Sequence, residues 1–197
     1  MTATDSLRGR FIESLNRTMS KKLLTHFRSK QRSVEERIEA GKALRDKLPR
    51  DKQGDYKPSS KRADPVSILE EQAKTRLPDL VPIRYARMLT SPFAFLRGAA
   101  AIMAADLAAH GKTTGLQVQA CGDMHVANLG IFASAERNLI FGINDFDETL
   151  PGPWEWDLKR LVASIVACGR FLGADKSLCK DSVRSAVRSY RKRMREY

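Results

Sequence analysis

A chain of 197 residues, 42% hydrophobic and 29% charged, is sized for one globular domain with a basic extension, and no apolar run is long enough to span a membrane. Three cysteines, Cys121, Cys168 and Cys179, are odd in number and not spaced as zinc ligands, which excludes a disulfide framework and predicts a reduced, cytoplasmic setting. The net charge of +12 lies in the flanks: residues 1–62 carry 17 Lys/Arg against 8 Asp/Glu and 180–197 carry 7 against 2, while 63–179 carry 11 against 13, a pattern of solvated helix faces that argues against a nucleic-acid partner.

Residues 1–32 are basic, with scattered apolar residues, and read as a disordered extension or a weak amphipathic helix; Arg8, Arg10, Glu13, Arg17, Lys21 and Lys22 interrupt any secretory core. Met19 is an alternative start. Ser33-Val-Glu-Glu36 is a capping box that opens a helix to about Leu48, ahead of Pro49. Residues 50–63 are polar, hold Gly54 and Pro58, and form a loop. Asp64-Pro65 starts a helix over 66–76, and a short helix follows over 79–89. Ser91-Pro92 starts another, with Phe93, Leu96, Ala100, Met103 and Leu107 at helical spacing and Gly111 as its stop. Strands are expected over 117–121, 131–132 and 139–143, the last two joined by a turn at 134–138 into a hairpin. Helices follow over 154–172 and 177–197. The last carries no stop signal, and we expect a domain truncated at its C-terminus. Trp154 and Trp156 are expected to seat their helix on the hairpin. Phe93, Phe95, Phe132 and Phe146 are expected at the core or its edge.

The chemically suggestive residues crowd into Cys121-Gly-Asp-Met-His-Val-Ala-Asn-Leu-Gly130 and Ile143-Asn-Asp-Phe-Asp-Glu148. Asp123 follows Gly122 at a strand-to-loop transition, where a carboxylate can orient or deprotonate an attacking hydroxyl. Asn128 lies five residues on. Asp145 arrives from the next strand pair with Asp147 two residues later, and such oxygens, completed by phosphate and water, suit Mg²⁺. Taken singly, Gly-Asp and Asp-x-Asp are ordinary turn chemistry, and Asn144-Asp145 alone reads as a β-turn. His125 is a loop hydrogen-bonding residue or a substrate contact. A metal-dependent phosphoesterase reading of Gly122-Asp123-Met-His125 stands behind the first, because the chain has only three His. Arg84, Arg87 and Arg97 flank the helix toward the site and could reach phosphate oxygens.

The order strand, Gly122-Asp-Met-His-Val-Ala-Asn128, hairpin, Asp145-Phe-Asp147, and a helix with Asp157-Leu158 resembles the catalytic half of aminoglycoside- and choline-kinase-like phosphotransferases over about residues 115–162. The resemblance implies Asp123 as catalytic residue, Asn128 and Asp145 (assisted by Asp147) as metal ligands, Asp157 as the brace of the catalytic loop, Mg²⁺ as cofactor and ATP as donor. A longer resemblance, from about Ser33 onward, is to the bacterial domain-of-unknown-function family 2252. It rests on Asp64-Pro65, Leu80-Val-Pro-Ile-Arg-Tyr-Ala-Arg-Met88, Ser91-Pro-Phe-Ala-Phe-Leu-Arg-Gly98, Cys121-Gly-Asp-Met-His125, Asn144-Asp-Phe-Asp-Glu-Thr-Leu-Pro-Gly-Pro-Trp-Glu-Trp-Asp-Leu-Lys-Arg160 and Ala163-Ser164. Gly142 and Leu129 depart from it, where the family tends to have Asp and Phe. Its members are about twice as long and resemble kinases permuted in order, with a glycine-rich segment and a Lys-Glu strand downstream.

The expectation is therefore an α/β, mostly helical protein: a partial, protein-kinase-like catalytic lobe over 33–197 with a small antiparallel hairpin. It would be the Mg²⁺-dependent half of a phosphotransferase with a small-molecule or protein acceptor, inactive alone and partnered by the missing C-terminal half. The rival from another class is a non-catalytic remnant or binding module. The enzymatic reading requires Asp123 and Asp145 to converge, with neither buried against a permanent cation.

Overall fold

The computed structural model describes residues 32–196, so the extension expected over 1–32, all but Arg32, and the alternative start at Met19 lie outside the described residues. The chain divides into two units, Met1–Asp46 and Lys47–Tyr197. In the first, helix α1 (Val34–Lys47) opens on a reciprocal capping box: the Ser33 N–H donates to Glu36 Oε2 at 2.7 Å and the Glu36 N–H to Ser33 Oγ at 3.2 Å. Two of the N–H groups that a helix start leaves unpaired are thereby satisfied.

The second unit begins its regular structure with α2 (Pro65–Ala73), where Asp64 caps the Ser67 N–H at 2.8 Å. A 3₁₀ turn at Pro78–Leu80 leads into α3 (Val81–Met88). The single helix expected from Ser91 to Gly111 is two, α4 (Pro92–Gly98) and α5 (Ala100–His110), bent by 76° at Ala99. Both sides of the break are capped. The Leu96 carbonyl, which also accepts the Ala99 N–H at 3.1 Å, accepts from Arg160 Nη2 at 2.7 Å, and the Gly98 carbonyl accepts from Arg84 Nη2 at 2.5 Å, so guanidinium groups satisfy carbonyls where the ladder is interrupted. Gly98 also lies so close to the Met88 side chain that a Cβ there would stand 2.5 Å from it. The small core forms around this bend from Leu69, Met88, Ala99 and Ile102, with Ile68 and Tyr85 against it. No single helix among the described residues is long and apolar enough to cross a membrane; the α4–α5 pair reaches that length only across the bend.

Two two-stranded antiparallel ladders follow. Strands β1 (Gln117–Ala120) and β4 (Leu150–Pro153) pair from Gln117↔Pro153 to Ala120↔Leu150, and β2 (Leu129–Ala133) and β3 (Leu139–Ile143) pair from Leu129↔Ile143 to Ala133↔Leu139. The second ladder is the expected hairpin, closed at Ser134–Asn138 with Arg137 at φ 64°. β4 is absent from the sequence reading because Leu-Pro-Gly-Pro has no strand character of its own; prolines are tolerated here because in a two-stranded ladder both strands are edges. Helices α6 (Trp154–Phe171) and α7 (Lys176–Glu196) complete the unit. Trp154 stacks on Tyr190 at 6.1 Å and donates to Thr114 Oγ1. The phenylalanine expectation fails in part: Phe95, Phe132 and Phe146 are exposed, Phe132 because among the described residues no layer covers the hairpin, whose Ile131, Leu139 and Phe141 are exposed as well. The topology matters more than the layers. Only two segments connect the ladders, residues 121–128 and 144–149, and they leave and return at the same ladder ends.

Candidate functional site

One face of α6 builds the site floor. Asp157, Arg160 and Ser164, at i, i+3 and i+7, all turn toward the 121–128 segment. Asp157 accepts the Cys121 N–H at Oδ2 (2.7 Å) and the Gly122 N–H at Oδ1 (3.0 Å). Ser164, fully buried, accepts the Val126 N–H at 3.0 Å and donates to the Leu161 carbonyl at 2.7 Å. Two turns earlier Glu155, also buried, accepts both the N–H and the hydroxyl of Thr114 at 2.7 Å. Three backbone N–H groups of an irregular segment thus find acceptors on one helix, as a half-buried loop requires.

Gly122 is the point of closest approach between the two connecting segments. It sits at φ +85°, and a Cβ on it would lie 2.0 Å from the Glu148 carbonyl oxygen. Gly122→Ala is expected to cost about 2 kcal/mol from left-handed backbone strain and displacement of the 144–149 turn. Gly54→Ala, where a Cβ meets nothing within 4 Å, is the control. Equal thermal midpoints for the two variants would refute the close approach.

Asp123 emerges from this turn and is not a free carboxylate. Arg160, 3% exposed, donates Nε–H to Asp123 Oδ1 at 2.6 Å and contacts the same oxygen through Nη2. The condition that neither acid be buried against a permanent cation is therefore not met by Asp123, whose carboxylate is paired with Arg160. The other oxygen, Oδ2, faces His125 Nε2 at 3.6 Å, and the Asp123 side chain keeps 22% of its exposure. His125 itself is buried, with Nδ1 unpartnered among the described residues. Burial, opposed by Asp123 and reinforced by Arg160 and Arg97, holds its imidazole below the ordinary histidine range, so it is neutral at neutral pH.

Asn128 ties the two segments together. Its Nδ2 donates to the backbone carbonyls of Asp123 and Asp145, both at 3.2 Å. The Asp145 carbonyl also receives the Cys121 thiol at 3.4 Å, and burial pushes that thiol up, away from thiolate chemistry. The exposed Asp145 side chain uses Oδ1 to accept the Asp147 N–H at 3.0 Å; Asp147 is exposed beside it. Asn128 Oδ1 and Asp145 Oδ2 accept no hydrogen bond among the described residues, and no three His, Cys, Asp or Glu among them gather as a metal cluster. Both are oxygens of the type Mg²⁺ takes, and a cation held by these two alone would need phosphate and water to complete its shell.

The structure brings together Asp123, His125, Asn128, Asp145 and Asp157. Arg84, Arg87 and Arg97 line a separate groove next to it, together with Arg76. Arg160 and Ser164 were not singled out from sequence. A polar triplet at i, i+3, i+7 inside the apolar run of α6 was the available signal.

A family model described as an uncharacterized protein conserved in bacteria (DUF2252) matches residues 76–197, more than half of the chain, and the chain belongs to that family. No curated protein and no solved structure matches it.

Proposed function

We propose that this chain carries the acceptor and metal side of a Mg²⁺-dependent phosphotransferase. The observation that carries the reading is the Asn128 bridge: one buried amide bonds the backbone carbonyls of Asp123 and Asp145, so the two segments that carry the acids are held side by side. Phosphoryl transfer runs through a loose transition state in which little proton transfer is needed, and positioning matters more than basicity. A carboxylate with one oxygen pinned by Arg160 is a poor base but a well-oriented acceptor, and Asp123 Oδ2 would receive the hydrogen bond of the attacking hydroxyl. Asn128 and Asp145, with Asp147 assisting, would hold Mg²⁺, which neutralises charge on the donor phosphates. ATP as donor rests on the kinase-like resemblance of residues 115–162.

The test is Mg²⁺-dependent binding of a fluorescent ATP analogue to the chain joined to the glycine-rich and Lys-Glu segments that the family resemblance implies downstream. Asp145→Asn is expected to weaken it at least tenfold while leaving the unfolding curve close to the parent, since the Asp145 side chain is exposed. Unchanged binding removes Asp145 from the metal site. The Asp123–Arg160 pair favours a second reading, a non-catalytic binding module in which Asp123 serves only to neutralise a buried guanidinium. That reading expects no Mg²⁺-dependent nucleotide binding even when those downstream segments are joined to the chain.

A further inference from the structure

A groove of about 750 Å³ opens between the end of α2, helix α3 and helix α4, and four of its lining residues are Arg76, Arg84, Arg87 and Arg97. None of the four forms an ion pair among the described residues, although ten other pairs do form there. Four guanidinium groups without an ion-pair partner around one concavity repel one another, and a protein commonly offsets such repulsion with a bound anion. Arg84 supplies the second observation. It spends Nη2 on the Gly98 carbonyl and Gln72 Oε1, while Nη1 is buried with no hydrogen-bond partner. A buried guanidinium N–H without an acceptor is costly and uncommon. Burial first, and Arg76 next, hold the Arg84 guanidinium below its ordinary range, consistent with a cation that lacks its partner.

We propose that this groove binds the phosphate group of a small phosphate ester, with the ester's apolar part lying on Leu77, Leu80 and Ile83. The volume is that of a small-molecule pocket, and a dianion is needed to engage several guanidinium groups at once. A polynucleotide is disfavoured because residues 63–179 carry 11 Lys/Arg against 13 Asp/Glu and, among the described residues, none that lines the groove is aromatic. The groove also belongs with the Asp123 centre. Arg84 lies within electrostatic reach of Asp123 and Glu148, and Arg97 within reach of His125. On the phosphotransferase reading, and only there, the groove selects an acceptor or donor already bearing phosphate; the anion site itself stands without that reading.

Calorimetric titration of the full chain with phenyl phosphate, inorganic phosphate, benzyl alcohol and ATP tests it. Saturable binding of phenyl phosphate, tighter than inorganic phosphate and absent for benzyl alcohol, is expected. Arg87→Gln and Arg76→Gln, both exposed and safe for folding, should each weaken it about tenfold, whereas Lys74→Gln, whose cation is paired with Glu71 outside the groove, should not. ATP displacing phenyl phosphate in an Arg87-dependent way assigns the phosphate to the donor, and no displacement assigns it to the acceptor. Asp145→Asn should leave phenyl phosphate binding intact, so loss of the metal site and loss of the groove read out separately. Absence of phenyl phosphate binding, or equal weakening by Lys74→Gln, overturns the proposal.

Discussion

Asp123→Ala is expected to lower the unfolding free energy by about 3–5 kcal/mol, the loss typical of leaving one member of a buried ion pair behind. The pair is asymmetric: Arg160 is 3% exposed and the Asp123 side chain 22%. Removing the acid strands a guanidinium that solvent cannot reach, with the Leu96 carbonyl and the Met103 sulfur as its remaining contacts. Removing the base instead, as Arg160→Met, strands a carboxylate that partly rehydrates, and the penalty should be smaller. The double variant Asp123→Ala/Arg160→Met should recover much of what the single acid variant loses. Urea unfolding followed by tryptophan fluorescence, with Trp154 and Trp156 on the same helix as Arg160, measures all three. A carboxylate kept only to meet a substrate would show the opposite pattern, with Asp123→Ala neutral or stabilising. That outcome would mean the Arg160 contact contributes nothing to the fold, and Asp123 could then be a full general base.

Local signals with a backbone cause were legible in the sequence. The capping box at Ser33, the Asp64 and Ser91 caps and the Ser134 turn each depend on side chains within a few residues of the backbone they satisfy, so spacing alone reveals them. What escaped depends on partners far along the chain. The break at Ala99 is capped by Arg84 and Arg160, 14 and 64 residues from the carbonyls they hold, while the local pattern of Phe93, Leu96, Ala100 and Met103 favours one continuous helix. β4 escaped because its strand state is imposed by β1, against the preference of Pro151, Gly152 and Pro153. The same logic divides the site. Asp123, Asn128, Asp145 and Asp157 are conspicuous as residue types in turn contexts. Arg160 and Ser164 look like one charge and one small residue in a helix until the loop they serve is folded onto them.

That loop is also where a conservative change should do as much harm as a drastic one. The Asp157 carboxylate accepts two N–H groups, one on each oxygen, and only a carboxylate offers two acceptors in that geometry. In Asp157→Asn one acceptor becomes an NH₂ facing a backbone N–H, donor against donor. One charge-assisted bond is weakened to a neutral one and the other is lost, which places the cost at about 3 kcal/mol. For a chain of 197 residues this corresponds to a fall of about 6–12 °C in Tm. Asp157→Ala should fall within about 1 kcal/mol of it, because a small cavity can admit water to the freed N–H groups. The readout specific to this role is amide hydrogen exchange at Cys121 and Gly122, which should accelerate in both variants while exchange along α7 stays at the parent rate after correction for global stability. If Asp157→Asn keeps the parent midpoint, the carboxylate does not hold the turn. The orientation of Asp123 would then have to come from Arg160 and Asn128 alone.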